Sequence, residues 1–411
     1  MIALILALAI FCIIATVFHV VSIATAIFRF RRGLRQDALQ DAPSSCQFRP
    51  PVSLVSPLCG IDNYAHDTLR STFELDYPDY EILFCVASAA DPVLPLIEGL
   101  IREHAGANAR VLIGDHRVSN NPKLNNVVKG WNAARHEWIV IADSNVLMPQ
   151  DYIQRLFASW RDDTGLVASP PIGCRPQGLW AELECAFLNT YQARWQYCID
   201  TFGRGFAQGK TMLWRRADLE RAGGISALGK EAAEDAASTK IVRSAGLKVR
   251  LVDRPLAQPL GRRSASDVWN RQLRWARLRR ASFLLCFLPE AFSGGVPPMI
   301  AAAFAAGLMG LSPVLYTAAL GAFWYGSEML LAAVAEWHLP FLYPLYGLAR
   351  DCLLPVLFVD ALCGSGFVWR GNEMQVDRMR APRAMARMRP RLQEVAARSR
   401  RGLRALRERA S

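Results

Sequence analysis

Strand-like and helix-like stretches alternate through the middle of the chain, and both ends are strongly apolar before a basic tail. These observations predict an α/β domain built on a parallel sheet with helices on both faces. An N-terminal transmembrane helix precedes it, and a C-terminal helical membrane region follows. Of 411 residues, 52% are hydrophobic. That is high for a soluble protein and low for a bundle lying wholly in lipid, so a mixed chain fits.

The N-terminal element comes first. Residues 1–28, "MIALILALAIFCIIATVFHVVSIATAIF", contain no Asp, Glu, Lys or Arg. As a helix they are long enough to cross about 30 Å of hydrocarbon. "RFRRGLR" follows at 29–35. Positive charge after the apolar run, rather than before it, argues against a signal peptide. By the positive-inside rule it predicts an anchor with its N-terminus outside and the next domain in the cytoplasm.

Residues 36–290 form the predicted α/β domain. The short runs at 51–58, 80–88, 109–115 and 137–145 are β-rich, and the stretches at 65–75, 92–105 and 123–135 between them have helical patterns. Strands spaced this way by helices give a parallel sheet, whose ligands bind beyond the carboxyl ends of the strands. "SPLCGID", "VASAADP" and "IADSNV" are therefore the loops of interest.

Residues 294–365 are again apolar. Two helices broken near Pro313 and a third at 341–363, interrupted by Arg350 and Asp351, are candidates. A basic tail on the cytoplasmic side requires an even number of crossings after the domain, so one of the three is expected to be interfacial or re-entrant. The tail is assigned to 366–411. From Asp377 it holds twelve arginines and three acids, which is nine of the chain's net charge of +12. Beside membrane segments this predicts contact with anionic lipid headgroups, not nucleic acid. The ten cysteines show no CxxC pair or zinc-like spacing, which fits reduced thiols in a reducing compartment.

The strand-end residues carry candidate chemistry. Asp143, with Ser144 and Asn145 beside it, is placed either to hold a divalent cation or to cap the next helix. Asp91 precedes Pro92 and suits a helix N-cap. Lys123 starts a helix bearing Asn125 and Asn126, which fits a phosphate or uracil site or an ordinary amphipathic helix. Glu231, Glu234 and Asp235 are predicted to share an alanine-rich helix. Two of them, Glu231 and Asp235, fall at i and i+4, a costly pairing of like charges and a candidate setting for a general base. Arg271, Arg274 and Trp275 fall at i, i+3 and i+4 in "NRQLRWARLRR", on one helical face. Guanidinium forks there match diphosphate oxygens. Arg277, Arg279 and Arg280 are expected at a rim facing the bilayer.

The order of these features resembles the ceramide glucosyltransferase family, membrane-bound members of the GT-A (Rossmann-like) group. That family has an N-terminal anchor, three spaced aspartate sites and an arginine–tryptophan motif of the form Q/R-x-x-R-W. Here the motif reads "RQLRW". "IADSNV" and "AEDAASTK" match the second and third aspartate sites, while the first is reduced from a cluster of acids to Asp91. "FELDYPDYEILFCV" and "NPKLNNVVKGW" also match. The likeness covers roughly residues 1–290 well, and the C-terminal region in general character.

The resemblance implies inverting transfer from a UDP-sugar to the primary hydroxyl of ceramide. In that reading Asp235 is the base, and Asp143 places Mg²⁺ or Mn²⁺ on the diphosphate. Arg271 and Arg274 stabilise the leaving UDP, and Trp275 shapes the sugar and acceptor pocket. Lys123 and Asp91 contact the nucleotide, and Gln208 and Gly209 line the loop near sugar and acceptor. A hopanoid glycosyltransferase using UDP-N-acetylglucosamine is the rival reading. A processive polysaccharide synthase, which would carry Gln at position 271 and more spans, and a non-catalytic membrane scaffold rank lower. The expected location is a bacterial inner membrane, multi-pass, with the catalytic domain in the cytoplasm.

Overall fold

The computed structural model describes residues 1–40, 49–369 and 372–375. The strands that frame the site are β1 (Val52–Leu58), β2 (Tyr80–Val86), β3 (Ala109–Ile113), β4 (Trp138–Ala142), β5 (Thr164–Ala168), β6 (Pro171–Gln177), β7 (Thr211–Arg215), β8 (Lys248–Leu251) and β9 (Leu256–Arg262). Seven form one sheet in the order β3-β2-β1-β4-β7-β5-β8. Its pairings are parallel except those of β7, which runs antiparallel to β4 and β5. The expected parallel sheet is thus a mixed one. After a helical excursion through 179–201, β7 enters from the opposite end, a reversal no residue periodicity encodes. The remaining two, β6 and β9, pair with each other in a small separate sheet.

Every residue of β1 and β4 is buried, as expected of central strands covered on both faces. One face packs Leu54, Phe84 and Val140 against Ile97 and Leu100 of the helix Leu94–Glu103. The other packs Val55, Leu83 and Ile141 against Val127 and Trp131 of the helix Pro122–Ala133. Burial of each such side chain contributes roughly 1.5–3 kcal/mol. Gly130 sets how closely that second helix approaches, because a Cβ there would lie 2.5 Å from Val55 Cγ1 and 2.6 Å from Cys85 Sγ. One turn earlier, Asn126 donates to the carbonyls of Leu58 (3.0 Å) and Cys85 (2.6 Å). The helix N-terminus is thereby fixed over the carboxyl ends of β1 and β2.

The anchor helix, Ile2–Gln40, is longer than its apolar run. Its early apolar side chains, among them Leu4, Leu6, Ile10 and Ile13, are exposed, and it is apolar enough to cross a membrane. Further along, Ile23, Ala26 and Phe30 pack on Tyr197 and Leu251 of the α/β domain and on Leu331 and Trp337. Arg29 pairs with Asp253 and with Asp200 (2.6 Å), and Arg32 grips Asp253 at 2.6 and 2.7 Å.

In the C-terminal region, Val296–Leu308 and Pro313–Val334 are helices joined by a tight turn. Leu284–Phe292 and Val296–Leu308 together are long and apolar enough to cross a membrane, but they meet at a 45° bend. The helix Tyr343–Cys363 lies against the domain: its Leu354, Leu357 and Ala361 pack on Leu183, Val268, Leu273 and Ala276. The charges that interrupt it are wholly internal. Arg350 bonds Asp351 (2.8 Å), Glu328 (3.0 and 3.1 Å) and Thr190 (3.0 Å). Glu328 also takes Arg194 at 2.9 Å, and Arg194 meets His19 of the anchor at 2.8 Å.

Between Leu179–Ala186 and Arg194–Thr201 the helix widens to a π-helix at Phe187–Ala193, with all seven residues buried. Such widenings are rare and concentrate at functional sites. Here Asn189 bonds both backbone groups of Gly173 on β6 (2.8 and 3.1 Å). Gln192 reaches Gln272 on the arginine-rich helix at 2.7 Å.

Candidate active site

A crevice opens where β4 ends. Asp143 is the first residue past β4, and its backbone N–H donates to the Lys210 carbonyl at 3.0 Å. Two lysines share its carboxylate: Lys123 Nζ lies 2.7 Å from Oδ1 and Lys210 Nζ 3.0 Å from Oδ2. Lys123 sits at the N-terminus of Pro122–Ala133, a helix start built by Asn121. The Asn121 side chain accepts from the N–H groups of Lys123 and Leu124, and Pro122 occupies the first helical position. The same Asn121 donates to Glu234 at 2.7 Å. Lys123 also pairs with Glu234 at 2.6 Å and donates to the Gly209 carbonyl at 2.5 Å. Lys210 donates to Asn145 at 2.8 Å.

Asp235 stands beside Glu234 in the first turn of the helix Glu234–Ser244. Among the described residues it accepts from the backbone N–H groups of Gly209 (3.2 Å) and Ala236 (2.7 Å). The two neighbouring acids therefore differ: Glu234 is paired with Lys123 and accepts from Asn121, while Asp235 makes no ion pair among the described residues, although the charge of Lys123 also reaches it. Burial, then the charge of Glu234, pushes the Asp235 carboxyl up to about 6. Asp143 goes the other way. Burial opposes its ionisation, but Lys123 and Lys210 outweigh burial and hold it at about 2. Burial alone would lower Lys123, yet Asp143 and Glu234 raise it. Lys210 is lowered, by burial and by the nearby charge of Arg271.

Lys123, Asp143, Gly209 and Asp235 thus meet in one connected set, and the charge of Arg271 is felt at Lys210. Gln208, half-buried, precedes Gly209. A Cβ on Gly209 would come within 2.9 Å of Glu234 Oε1, 3.1 Å of Lys123 Nζ and 3.5 Å of Asp235 Oδ2, so only glycine leaves these groups in place. Asp91 is engaged elsewhere. Its carboxylate takes the N–H of Gly60 (3.0 and 3.1 Å) and of Val93 (3.0 Å), tying the loop after β1 to the next helix start.

The arginine-rich stretch is a helix, Ala265–Ser282, opened by a capping box between Ser264 and Asp267. Arg271 is paired with buried Glu184 at 2.7 Å and lies 6.0 Å from the Trp275 ring centroid. Trp275 packs on Ala181, Cys185, Leu188 and Leu260, beneath Arg271. Arg274 lies half-buried on the same helix.

Two expectations need correction. Glu231 and Asp235 do not share a helix, because Glu231 is in extended backbone before the helix starts and pairs with Lys240 at 2.6 Å. Arg277, Arg279 and Arg280 hold protein partners. Arg277 takes Asp360 at 2.8 Å, Arg279 takes Glu290 at 2.6 and 2.8 Å, and Arg280 takes the Leu362 carbonyl at 2.8 Å. They clamp the Tyr343–Cys363 helix and the turn at 288–292. The basic stretch from 377 lies outside the described residues.

Sequence reasoning missed Lys210, Asn121 and Glu184. Lys210 had a signal, a lysine directly before a strand in "AQGKTMLWRR". The partners of Asn121 and Glu184 lie far away in sequence and left none.

A mixed, mostly parallel α/β sheet with an ionic crevice at its strand ends, following a long apolar N-terminal helix, is the architecture of a GT-A-type glycosyltransferase. The chain belongs to glycosyl transferase family 21, whose model matches residues 14–381. Ceramide glucosyltransferase 1 of Caenorhabditis elegans is 26% identical over 365 residues, 87% of this chain and 76% of its own length. The ceramide glucosyltransferase of Komagataella phaffii (strain GS115 / ATCC 20864) is 30% identical over 242 residues, 53% of this chain and 47% of its own. Among solved structures, a mannosyltransferase of Pyrobaculum calidifontis in complex with GDP-Man and Mn²⁺ aligns over 87% of this chain and 98% of its own, with TM-score 0.44 and 19% identity. TarS of S. aureus in complex with UDP-GlcNAc aligns over 79% of this chain and 96% of its own, with TM-score 0.37 and 14% identity.

Proposed function

We propose that this chain moves glucose from UDP-glucose to the primary hydroxyl of ceramide, with inversion at the sugar carbon. Family membership supports the reaction class, and the names of the relatives support the acceptor. The observation that carries the mechanism is the contrast between two adjacent acids. Glu234 is tied up by Lys123 and Asn121, whereas Asp235 is raised toward neutral pH and makes no ion pair among the described residues. A carboxylate of that kind takes a hydroxyl proton efficiently near physiological pH. Deprotonated by Asp235, the acceptor oxygen attacks the sugar carbon from the face opposite the diphosphate, which departs as UDP. Lys123, Lys210 and Arg271 are placed to meet the charge that develops on that leaving group.

The GT-A group implies a divalent cation, and the donor set here fits one in a limited way. Among the described residues no group of three His, Cys, Asp or Glu stands together. Asp143 is held ionised, with its side chain 22% exposed to the crevice. One carboxylate suffices for Mg²⁺ or Mn²⁺ when phosphate oxygens and water complete the shell. The two lysines offset Asp143 and Glu234, so a diphosphate arriving with its own cation leaves this set neutral. Bound there, the ion supplies Lewis-acid stabilisation of the diphosphate.

The anchor crosses the membrane, the 296–334 hairpin enters and returns, and Tyr343–Cys363 stays on the domain. In this reading the catalytic domain and the tail share the cytoplasmic side, and the tail meets anionic lipids. The deciding experiment is transfer from labelled UDP-glucose to ceramide by the full chain in liposomes, with and without EDTA. A glucosylceramide formed only with added Mg²⁺ or Mn²⁺ is expected. Glycosylation of a hopanoid from UDP-N-acetylglucosamine, with ceramide untouched, would overturn the acceptor and donor assignments.

A further inference from the structure

Glu184 is the most deeply placed acid near the crevice, with no exposed surface. It lies in the helix Leu179–Ala186 just before the π-helix. Two guanidiniums converge on it: Arg271 Nη1 at 2.7 Å from Oε1, and Arg263 Nε at 3.4 Å from Oε2. Neither approach has hydrogen-bond geometry, so both oxygens and both nitrogens remain buried without a hydrogen-bond partner. Two cations thus converge on one carboxylate, and Asp62 and Asp267 are the further acids whose charge reaches Arg263. Paired in charge but not hydrogen-bonded, these ions lack part of the compensation that a buried ion needs.

Arg263 opens the short loop between β9 and the arginine-rich helix. It follows β9 by one residue, and its approach is fixed by Asn63. The Asn63 side chain donates to the carbonyls of Leu260 (2.7 Å) and Arg262 (3.0 Å). It packs against Gly261, where φ is +63° and a Cβ would come within 2.7 Å of Asn63 Nδ2. Arg263 feels the charge of Asp62, and Asp62 accepts the hydroxyl of Ser144 at 3.1 Å. Ser144 is the neighbour of Asp143. Arg263 is therefore within electrostatic range of the β1 loop, and Arg271 within electrostatic range of Lys210.

We infer that Arg263 is a second guanidinium for the leaving diphosphate, and that Glu184 is the positioning residue that aims Arg263 and Arg271 together. The inference rests on the UDP-sugar reading above. No new bond is formed or broken. The two arginines meet charge gathering on the diphosphate as the sugar–oxygen bond breaks, and Glu184, never touching substrate, holds their spacing. Burial, then repulsion from Arg271, already lowers the proton affinity of Arg263, which is consistent with two cations held close for a shared anion.

The test is binding of UDP and of uridine to the full chain in detergent, for wild type, Glu184→Gln and Arg263→Gln. Both variants are expected to weaken UDP at least tenfold and leave uridine within about twofold, because only the diphosphate meets the arginines. They should also lower kcat with little change in the acceptor KM. Equal weakening of UDP and uridine would reduce Glu184 to a packing role and overturn the inference, as would unchanged UDP affinity. Should Glu184→Gln not fold, Arg263→Gln decides alone, since Arg271 still pairs the carboxylate there. Wild-type protein that binds neither ligand would overturn the UDP-sugar reading itself, and this inference with it.

Discussion

Replacing Asp235 with asparagine should damage catalysis and strengthen the fold at once. The amide keeps the shape of the side chain and one acceptor for the Gly209 N–H, but takes no proton from an acceptor hydroxyl. Loss of a positioned base costs about 10²–10⁴-fold in rate. The stability effect has the opposite sign. Burial and the Glu234 charge raise this carboxyl from 3.8 to about 6, a displacement worth up to about 3 kcal/mol through proton linkage. Because the folded-state value lies above the unfolded one, the folded protein holds this proton more tightly. The wild type therefore loses stability as pH climbs from about 4 through about 6, and the asparagine variant does not. The side chain is only partly enclosed, so the lower half of that range applies. In detergent, turnover of labelled UDP-glucose and thermal unfolding at pH 5 and pH 8 test both arms. The variant should unfold a few degrees higher than wild type at pH 8, with a smaller difference at pH 5. Near-full turnover, or a lower Tm at pH 8, would refute the reasoning. In the wild type, kcat/KM should rise with pH through about 6 and then level.

Gly209→Ala pushes a methyl against the ends of flexible side chains rather than backbone. Turnover should fall at least tenfold while Tm moves by only a few degrees, and a large Tm loss with normal kcat would contradict this. Lys210→Met leaves Asp143 with Lys123 alone. The Asp143 carboxyl should rise from about 2 and UDP-glucose should bind more weakly, which isothermal titration would measure. Arg350→Met strips the fully buried Glu328 and Asp351 of a shared cation. A loss of about 3–5 kcal/mol is expected, and thermal unfolding within about 2 °C of wild type would count against it.

Four strands were legible because β1 to β4 are short apolar runs closed by polar loops. By contrast, β5, β7 and β8 were not legible as strands, and strand direction, which topology sets, has no residue signature. Asp143, Lys123 and Asp235 were legible as strand-end or helix-start residues. That Lys123 bridges Asp143 and Glu234 was not, because a side chain's partner depends on topology rather than local order. The same holds for Glu184, which sequence alone would place as one more acid on an amphipathic helix. The charges at 277–280 show the reverse failure. Their sign was plain, but the acids and carbonyls they hold lie about eighty residues on or around a turn. Arg350 and Asp351 looked like faults in a membrane span, and they are the interior of a polar contact between helices.

The anchor helix has one more consequence. From Ile2 to Arg29 it is continuous, roughly 40 Å at 1.5 Å per residue, and Arg29 and Arg32 then bolt it to Asp200 and Asp253. The helix runs unbroken from its apolar end to the ion pairs that tie it to the domain carrying Asp235. With this helix across a bilayer and Asp235 as the base, as proposed above, the height of that carboxylate above the hydrocarbon is a fixed length. On that reading the helix is a ruler, sorting lipids by how far their hydroxyl stands out from the bilayer before any pocket examines their shape.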